Sequence, residues 1–282
     1  MKPAKNRLNF SLRPASLVNQ AMLIFFSLLA IYPVYYMVIT AFKTRNNWLH
    51  DQFGLPSPFT LQNISDALSK GNIPVWFGNS VTVTLLSLVV STMVSALAAY
   101  AIARFRFAGR AFFFNTMIAL MVIPPAVLIL PLFLLMVDIS LINTLTSVII
   151  IYSGLLIPFS IYLLVSFFRS LPPELFDAAA IDGCSNLNIF WQITLPLSTP
   201  ALVTLVVVNA LFVWNELLIA LVFLQSEEVR TLMPGLTLFK GHFTINEPLI
   251  MAGTLLATIP MILLYLFGQR LFVEGLVAGA VK

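Results

Sequence analysis

The chain is 282 residues long, 60% hydrophobic and only 9% charged, with a mean hydropathy of +0.97. Soluble domains carry roughly 25% charged residues, so this composition excludes a water-covered globule and specifies an integral membrane protein. A net charge of +4 in so apolar a chain reports membrane orientation, not nucleic-acid binding; one cysteine excludes an internal disulfide framework, and two histidines leave little for a metal centre.

In chain order, residues 1–20 read as a cytoplasmic amino tail and 21–282 as one transmembrane domain. A helix needs about 20 apolar residues to cross the hydrocarbon core. Six stretches meet that length: 21–42, 77–103, 111–136, 143–168, 200–223 and 249–276. The first is too long for a signal-peptide core and has no small-residue cleavage pattern after it. None alternates apolar and polar as a barrel strand does. The expected fold is therefore all-α, with six spans.

Lysine and arginine set the orientation. Ten of the 15 fall on one side: Lys2, Lys5, Arg7, Arg13, Arg104, Arg106, Arg110, Arg169, Arg270 and Lys282. The other side holds five: Lys43, Arg45, Lys70, Arg230 and Lys240. Both termini are expected in the cytoplasm.

Six prolines lie inside the spans: Pro33, Pro124, Pro125, Pro131, Pro158 and Pro260. Membrane helices tolerate proline where neighbours satisfy the freed carbonyls, so these mark either kinked packing or hinges, with Pro124-Pro125 the outstanding hinge candidate. In the second span Thr84, Ser87, Ser91 and Ser95 share one helical face. Such a stripe serves close helix packing or a polar translocation wall, and Ser87 and Ser91 are carried forward as path candidates.

The connection 169–199 is polar and thirty residues long between Arg169 and Ser198. Pro172-Pro173 suit the first turn of a helix. Glu174 and Asp177 follow, where carboxylates complement the helix dipole, and Ala178, Ala179 and Ala180 continue it. Asp182-Gly183 ends it, since glycine takes the left-handed conformation at a helix carboxyl end. Ser185 is an N-cap for a second short helix, expected to present Leu187, Phe190 and Trp191 before Pro196 stops it. The segment lacks the basic residues of a headgroup-binding helix, so a cytoplasmic protein partner is expected to receive it.

Further along, Glu216 beside Asn215 sits inside the fifth span. Intramembrane ionisable groups usually face a bundle interior or water-filled cavity, so both are path or outer-gate candidates; the alternative is a hydrogen bond at the interface. Glu227-Glu228 read as a solvated external surface. No GxxxxGK[ST] phosphate loop occurs.

The spacing Asp177-Ala178-Ala179, Gly183, Ile193 and Leu195-Pro196 resembles the EAA signature of binding-protein-dependent ABC importer permeases, with Asp177 where that family usually has glutamate. Phe212-Val213-Trp214-Asn215-Glu216, Arg230-Thr231-Leu232, Gln269-Arg270, Phe272 to Leu276, Ala278 to Lys282 and Ala41-Phe42-Lys43 resemble the carbohydrate-uptake branch, above all the maltose- and glycerol-phosphate-type second permeases. The resemblance implies a type I importer permease fold and a non-catalytic subunit. It implies a second, non-identical permease, two cytoplasmic ATPase subunits that hold ATP and Mg, an extracytoplasmic solute-binding protein and a sugar substrate. Glu174, Asp177, Ala178, Ala179, Asp182 and Gly183 would form the ATPase-coupling helix, with Gly183 allowing close backbone approach. The tail from Gly279 to Lys282 and the loop around Lys240-Gly241-His242-Phe243 would meet the ATPases and the binding protein. The setting implied is a bacterial or archaeal inner membrane. Alternatives are a permease for another solute, or a secondary transporter, which would need charged pairs at mid-span.

Overall fold

In the computed structural model, residues 14–70, 72–238 and 246–280 are described, and every regular element among them is helical. Helix α1 (Pro14–Ala41) is the first span; α2 (Arg45–His50) and α3 (Gln62–Lys70) lie in the following connection. Helix α4 (Ile73–Arg104) is the second span. The third is split into α5 (Arg110–Leu120) and α6 (Pro125–Asp138), and α7 (Leu145–Ser170) is the fourth.

The connection beyond α7 holds α8 (Pro173–Ile181), α9 (Asn186–Ile189), a π-turn over Phe190–Thr194 and α10 (Leu195–Leu197). The fifth span is α11 (Thr199–Asn215) followed by α12 (Leu218–Phe223); then come α13 (Leu232–Thr237) and the last span, α14 (Glu247–Ala280).

Four helices are long and apolar enough to cross a bilayer unbroken, and the number rises to six if each of two bent pairs, Arg110–Leu120 with Pro125–Asp138 and Asn186–Leu197 with Thr199–Asn215, is one span. The sequence predicts a continuous third span; the structure breaks it at Pro124-Pro125 and turns α6 through 102° from α5. Pro124 is extended (φ −63°, ψ 131°) and Pro125 occupies the first turn of α6, because a proline disfavours helical geometry in the residue before it. Pro33, Pro131, Pro158 and Pro260 instead stay inside continuous helices.

The tightest pairing is α4 on α7. Ser87, Ser91 and Ser95 are fully buried and Thr84 nearly so, and Ser87 Oγ lies 3.4 Å from the Ile149 carbonyl of α7. In this conformation the small-residue stripe packs two helices. Helix α14 lies against α11 and α1, while most of α1 remains exposed in this chain.

Three apolar clusters fill the bundle. One holds Leu88, Tyr152, Ala210 and Phe223. A second joins α4, α7 and α11 to the connection through Tyr100, Phe168, Ala179 and Phe190. The third, at the opposite end, holds Trp76, Trp214, Leu232 and Ala257.

In that third cluster Gly235 lies so close to Trp76 that a Cβ would overlap the indole ring. Gly235→Ala is expected to destabilise by about 1–3 kcal/mol through overpacking, read as a lower Tm and altered tryptophan emission; an unchanged Tm would mean that Trp76 moves freely.

The connections at the Trp76 end of the bundle are more ordered than their polarity suggests. Lys43, counted among outer-face charges, is wholly buried, its Nζ donating to the Asp51 carbonyl at 2.6 Å. Asp51 is held below the ordinary carboxyl pKa, first by the Gly54 amide. Asn63, in an Asn-X-Ser triplet, donates its amide to the Ala41 and Lys43 carbonyls at 2.9 and 2.7 Å. Asn72 reaches Glu227, and Asn79 donates to the Glu228 and Arg230 carbonyls, so the acidic pair sits on a loop pinned to α4.

Candidate functional site

Helix α8 starts where the prolines place it, with Glu174 in its first turn. Its carboxyl end is a Schellman motif: the Cys184 amide donates to the Ala179 carbonyl at 3.0 Å, and the Gly183 amide to the Ala180 carbonyl at 3.1 Å. Gly183 has φ +77°, and a Cβ there would meet nothing within 4 Å in this chain. Its glycine requirement within the chain is therefore conformational; close approach concerns whatever docks outside. Ser185 caps the next helix by accepting from the Asn188 amide at 3.3 Å.

Two expectations change here. Phe190 points inward, 5.2 Å between ring centroids from Tyr100, because the hydrophobic cluster beneath claims it. Pro196 does not stop the helix: the π-turn lets the Leu195 amide reach the Phe190 carbonyl, the rod runs on to Leu197, and a 74° bend into α11 follows at Ser198.

The result is a helical hairpin lying off the end of the spans. Its outer surface is apolar at Leu175, Ile181, Leu187 and Trp191, with Ile181 87% exposed. Glu174, Asp177, Ala178 and Asp182 are also exposed, whereas Ala179 is buried against the bundle. The described residues thus split the predicted coupling set into five outward side chains or backbone and one anchor.

Arg104, read from sequence only as an orientation charge, fixes this hairpin. Its Nη2 donates to the Phe168 carbonyl at 2.9 Å, satisfying the end of α7. Its guanidinium carbon lies 3.2 Å from the Phe176 ring centroid of α8, a cation–π contact, and Asp177 attracts it electrostatically.

Glu216 occupies the interruption between α11 and α12. Its carboxylate accepts from the Leu218, Ile219 and Ala220 amides at 2.9 to 3.2 Å, and from the Tyr152 hydroxyl of α7 at 2.7 Å. The carboxylate replaces water for the first amides of a helix inside a membrane segment. Asn215 is exposed and donates to the Leu211 carbonyl at 2.8 Å. Deeper in the same pair of spans, Asn209 Nδ2 donates to Ser160 Oγ at 3.0 Å.

A cavity of about 680 Å³ opens where α5 and α6 bend away from α7 and α11. Met121, Pro125, Leu132, Gly154, Pro158 and Phe212 contribute to its lining, and Asn209 is the single amide in it. None of the path candidates Ser87, Ser91, Asn215 and Glu216 lines it. Asn209 is legible in the sequence as an amide in an apolar span; which wall it faces is not. The loop around Lys240 to Phe243, the amino tail to Arg13, and Val281-Lys282 lie outside the described residues.

Residues 91–276 match the family described as the binding-protein-dependent transport system inner membrane component. The arabinooligosaccharides transport system permease protein AraQ of Halalkalibacterium halodurans is 34% identical, over 92% of this chain and 93% of that protein. The melibiose/raffinose/stachyose import permease protein MelC of Bacillus subtilis is 33% identical, over 89% and 91%. Among solved structures, a bacterial ABC transporter involved in import of the acidic polysaccharide alginate superposes with a TM-score of 0.80 at 25% identity, covering 95% of this chain and 99% of that chain.

Proposed function

This chain belongs to the family of binding-protein-dependent transport system inner membrane components, and we propose that it is the permease subunit of an ATP-driven oligosaccharide importer. It is a multi-pass membrane protein of that family. Relatives whose names specify arabinooligosaccharides and melibiose, raffinose or stachyose support a sugar as solute, as does the alginate importer fold.

The observation that carries the mechanism is the hairpin α8–α10 with its apolar outer face. Exposed leucine, isoleucine and tryptophan on a short helical hairpin suit insertion into a protein groove. In the proposed complex a partner ATPase receives Glu174, Asp177, Ala178, Asp182 and Gly183, and Ala179 seats the helix on the bundle. A second permease completes the path, with the cavity beside Asn209 as this chain's share of its wall. A solute-binding protein delivers sugar from outside. ATP and Mg belong to the partner ATPases, consistent with a chain that lacks a phosphate loop. The ten-to-five charge distribution supports cytoplasmic termini.

Co-expression with its partner permease, ATPase subunits and binding protein, followed by reconstitution in proteoliposomes, tests this reading. Oligosaccharide-loaded binding protein is expected to stimulate ATP hydrolysis and drive sugar uptake, with neither occurring when this chain is alone. Stimulation by an amino-acid- or phosphate-loaded protein instead would redirect the solute assignment, and solute movement without ATPases would overturn the reading.

A further inference from the structure

Three of the arginines at the α8 end of the bundle divide into two groups. Arg104 is engaged with α7 and α8. Arg110 and Arg169 converge instead on a second cavity of about 680 Å³, between the start of α5 and the end of α7. Arg169 sits 5.2 Å from the Phe114 ring centroid, and Arg110 Nη1 makes a long contact of 3.4 Å to the Phe105 carbonyl. The two cations are near enough to repel each other, and no carboxylate lines the cavity.

A lone arginine at a span end usually snorkels into water. Two that share a concavity without a counter-ion raise the energy of the empty site, and an anion between them removes that repulsion. Helix α5 starts at the same place with no side-chain cap, so its positive end adds to the field. Asn115 supplies a neutral polar group.

The surroundings specify the kind of anion. Phe112 is 75% exposed, and Phe107 and Phe113 are exposed beside it. Helices α4 and α7 end, and α5 begins, at Arg104, Ser170 and Arg110, so the cavity lies at headgroup depth beside acyl chains. A soluble anion has no use for an exposed aromatic rim; an anionic lipid matches both rim and charge. We propose that this cavity binds the phosphate headgroup of an anionic phospholipid, held between Arg110 and Arg169 with its acyl chains along Phe112 and Phe107. The inference rests on the membrane placement of the chain and not on its solute.

The test uses the assembled complex in nanodiscs of phosphatidylcholine doped with phosphatidylglycerol, with retained lipid read by native mass spectrometry. Wild type is expected to retain phosphatidylglycerol selectively, and the Arg110→Gln/Arg169→Gln pair to lose about tenfold or more of it. The Arg110→Lys/Arg169→Lys pair, which keeps the charge, is expected to retain lipid and so separates charge loss from misfolding. Inorganic phosphate is expected to leave the lipid in place; displacement by phosphate would make the ligand a soluble anion and overturn the lipid assignment. A photocrosslinker at position 112 should capture lipid, and capture of the partner permease or ATPase would overturn it. Retention unaffected by the glutamine pair also sinks the proposal, whatever solute the importer carries.

Discussion

Glu216→Ala is expected to lower the thermal stability of the assembled importer by several degrees and its transport rate by tenfold or more. The substitution removes one carboxylate but strands three amides, those of Leu218, Ile219 and Ala220, together with the Tyr152 hydroxyl. A buried unpaired donor costs about 1–3 kcal/mol, and no bulk water is available in the bilayer core to replace the acceptor.

The same loss cuts the tie between α7 and the break in the fifth span. Those two spans flank the α8–α10 hairpin in the chain, so in the proposed importer the Tyr152–Glu216 bond fixes the relative position through which a moving hairpin would act on the far end of the bundle. Glu216→Gln keeps an acceptor oxygen and is expected to fall between wild type and alanine. Tyr152→Phe removes only the inter-helix bond. In a double-mutant cycle the Tyr152→Phe and Glu216→Ala losses are expected to be less than additive, by the 0.5–3 kcal/mol range typical of contacting residues. Wild-type melting and transport for Glu216→Ala would show that α12 holds itself in place and that the carboxylate is dispensable.

Gly183→Val is expected to leave the complex inserted and assembled but to abolish its solute-stimulated ATPase activity. With φ at +77°, a non-glycine residue there meets a penalty of roughly 1–2 kcal/mol, larger for a β-branched side chain. The Schellman bonds at Ala179 and Ala180 would yield first, unwinding the end of α8. Two further variants separate the causes. Asparagine tolerates the left-handed conformation yet adds bulk, whereas alanine adds little bulk but resists the backbone angle. Since a Cβ at Gly183 meets open space within this chain, an uncoupled Gly183→Asn would locate the constraint in the docked partner. A coupled asparagine with an uncoupled alanine would locate it in the turn. Full coupling in the valine variant would remove α8 from the coupling role.

The legible part of the site was local. Pro172-Pro173, the first-turn Glu174, the glycine at the helix end and the Ser185 cap act on neighbours within a few residues, and each takes the position that short-range sterics and capping dictate. Phe190 and Pro196 defeated the same reasoning. Phe190 is drawn inward by Tyr100, 90 positions earlier, and the π-turn that this allows carries the helix past Pro196. Arg104 and Lys43 were legible as charges but not as structural ties. Their partners, the Phe168 carbonyl and Phe176 ring for one and the Asp51 carbonyl for the other, have no compositional signature.

By itself the sequence determined that this protein lives in a bilayer, that its membrane segments are helical, and that one connection folds into short capped helices. Those properties follow from apolar run length, charge placement and capping, each readable along a single line. Only the tertiary structure decided that the third span turns at Pro124-Pro125, that the serine stripe packs on α7, and that Glu216 completes a helix start. Such outcomes depend on which groups meet across the bundle, as Tyr152 and Glu216 do from 64 positions apart. Mean hydropathy is blind to them, because a polar side chain in a membrane segment takes its role from the one partner that satisfies it.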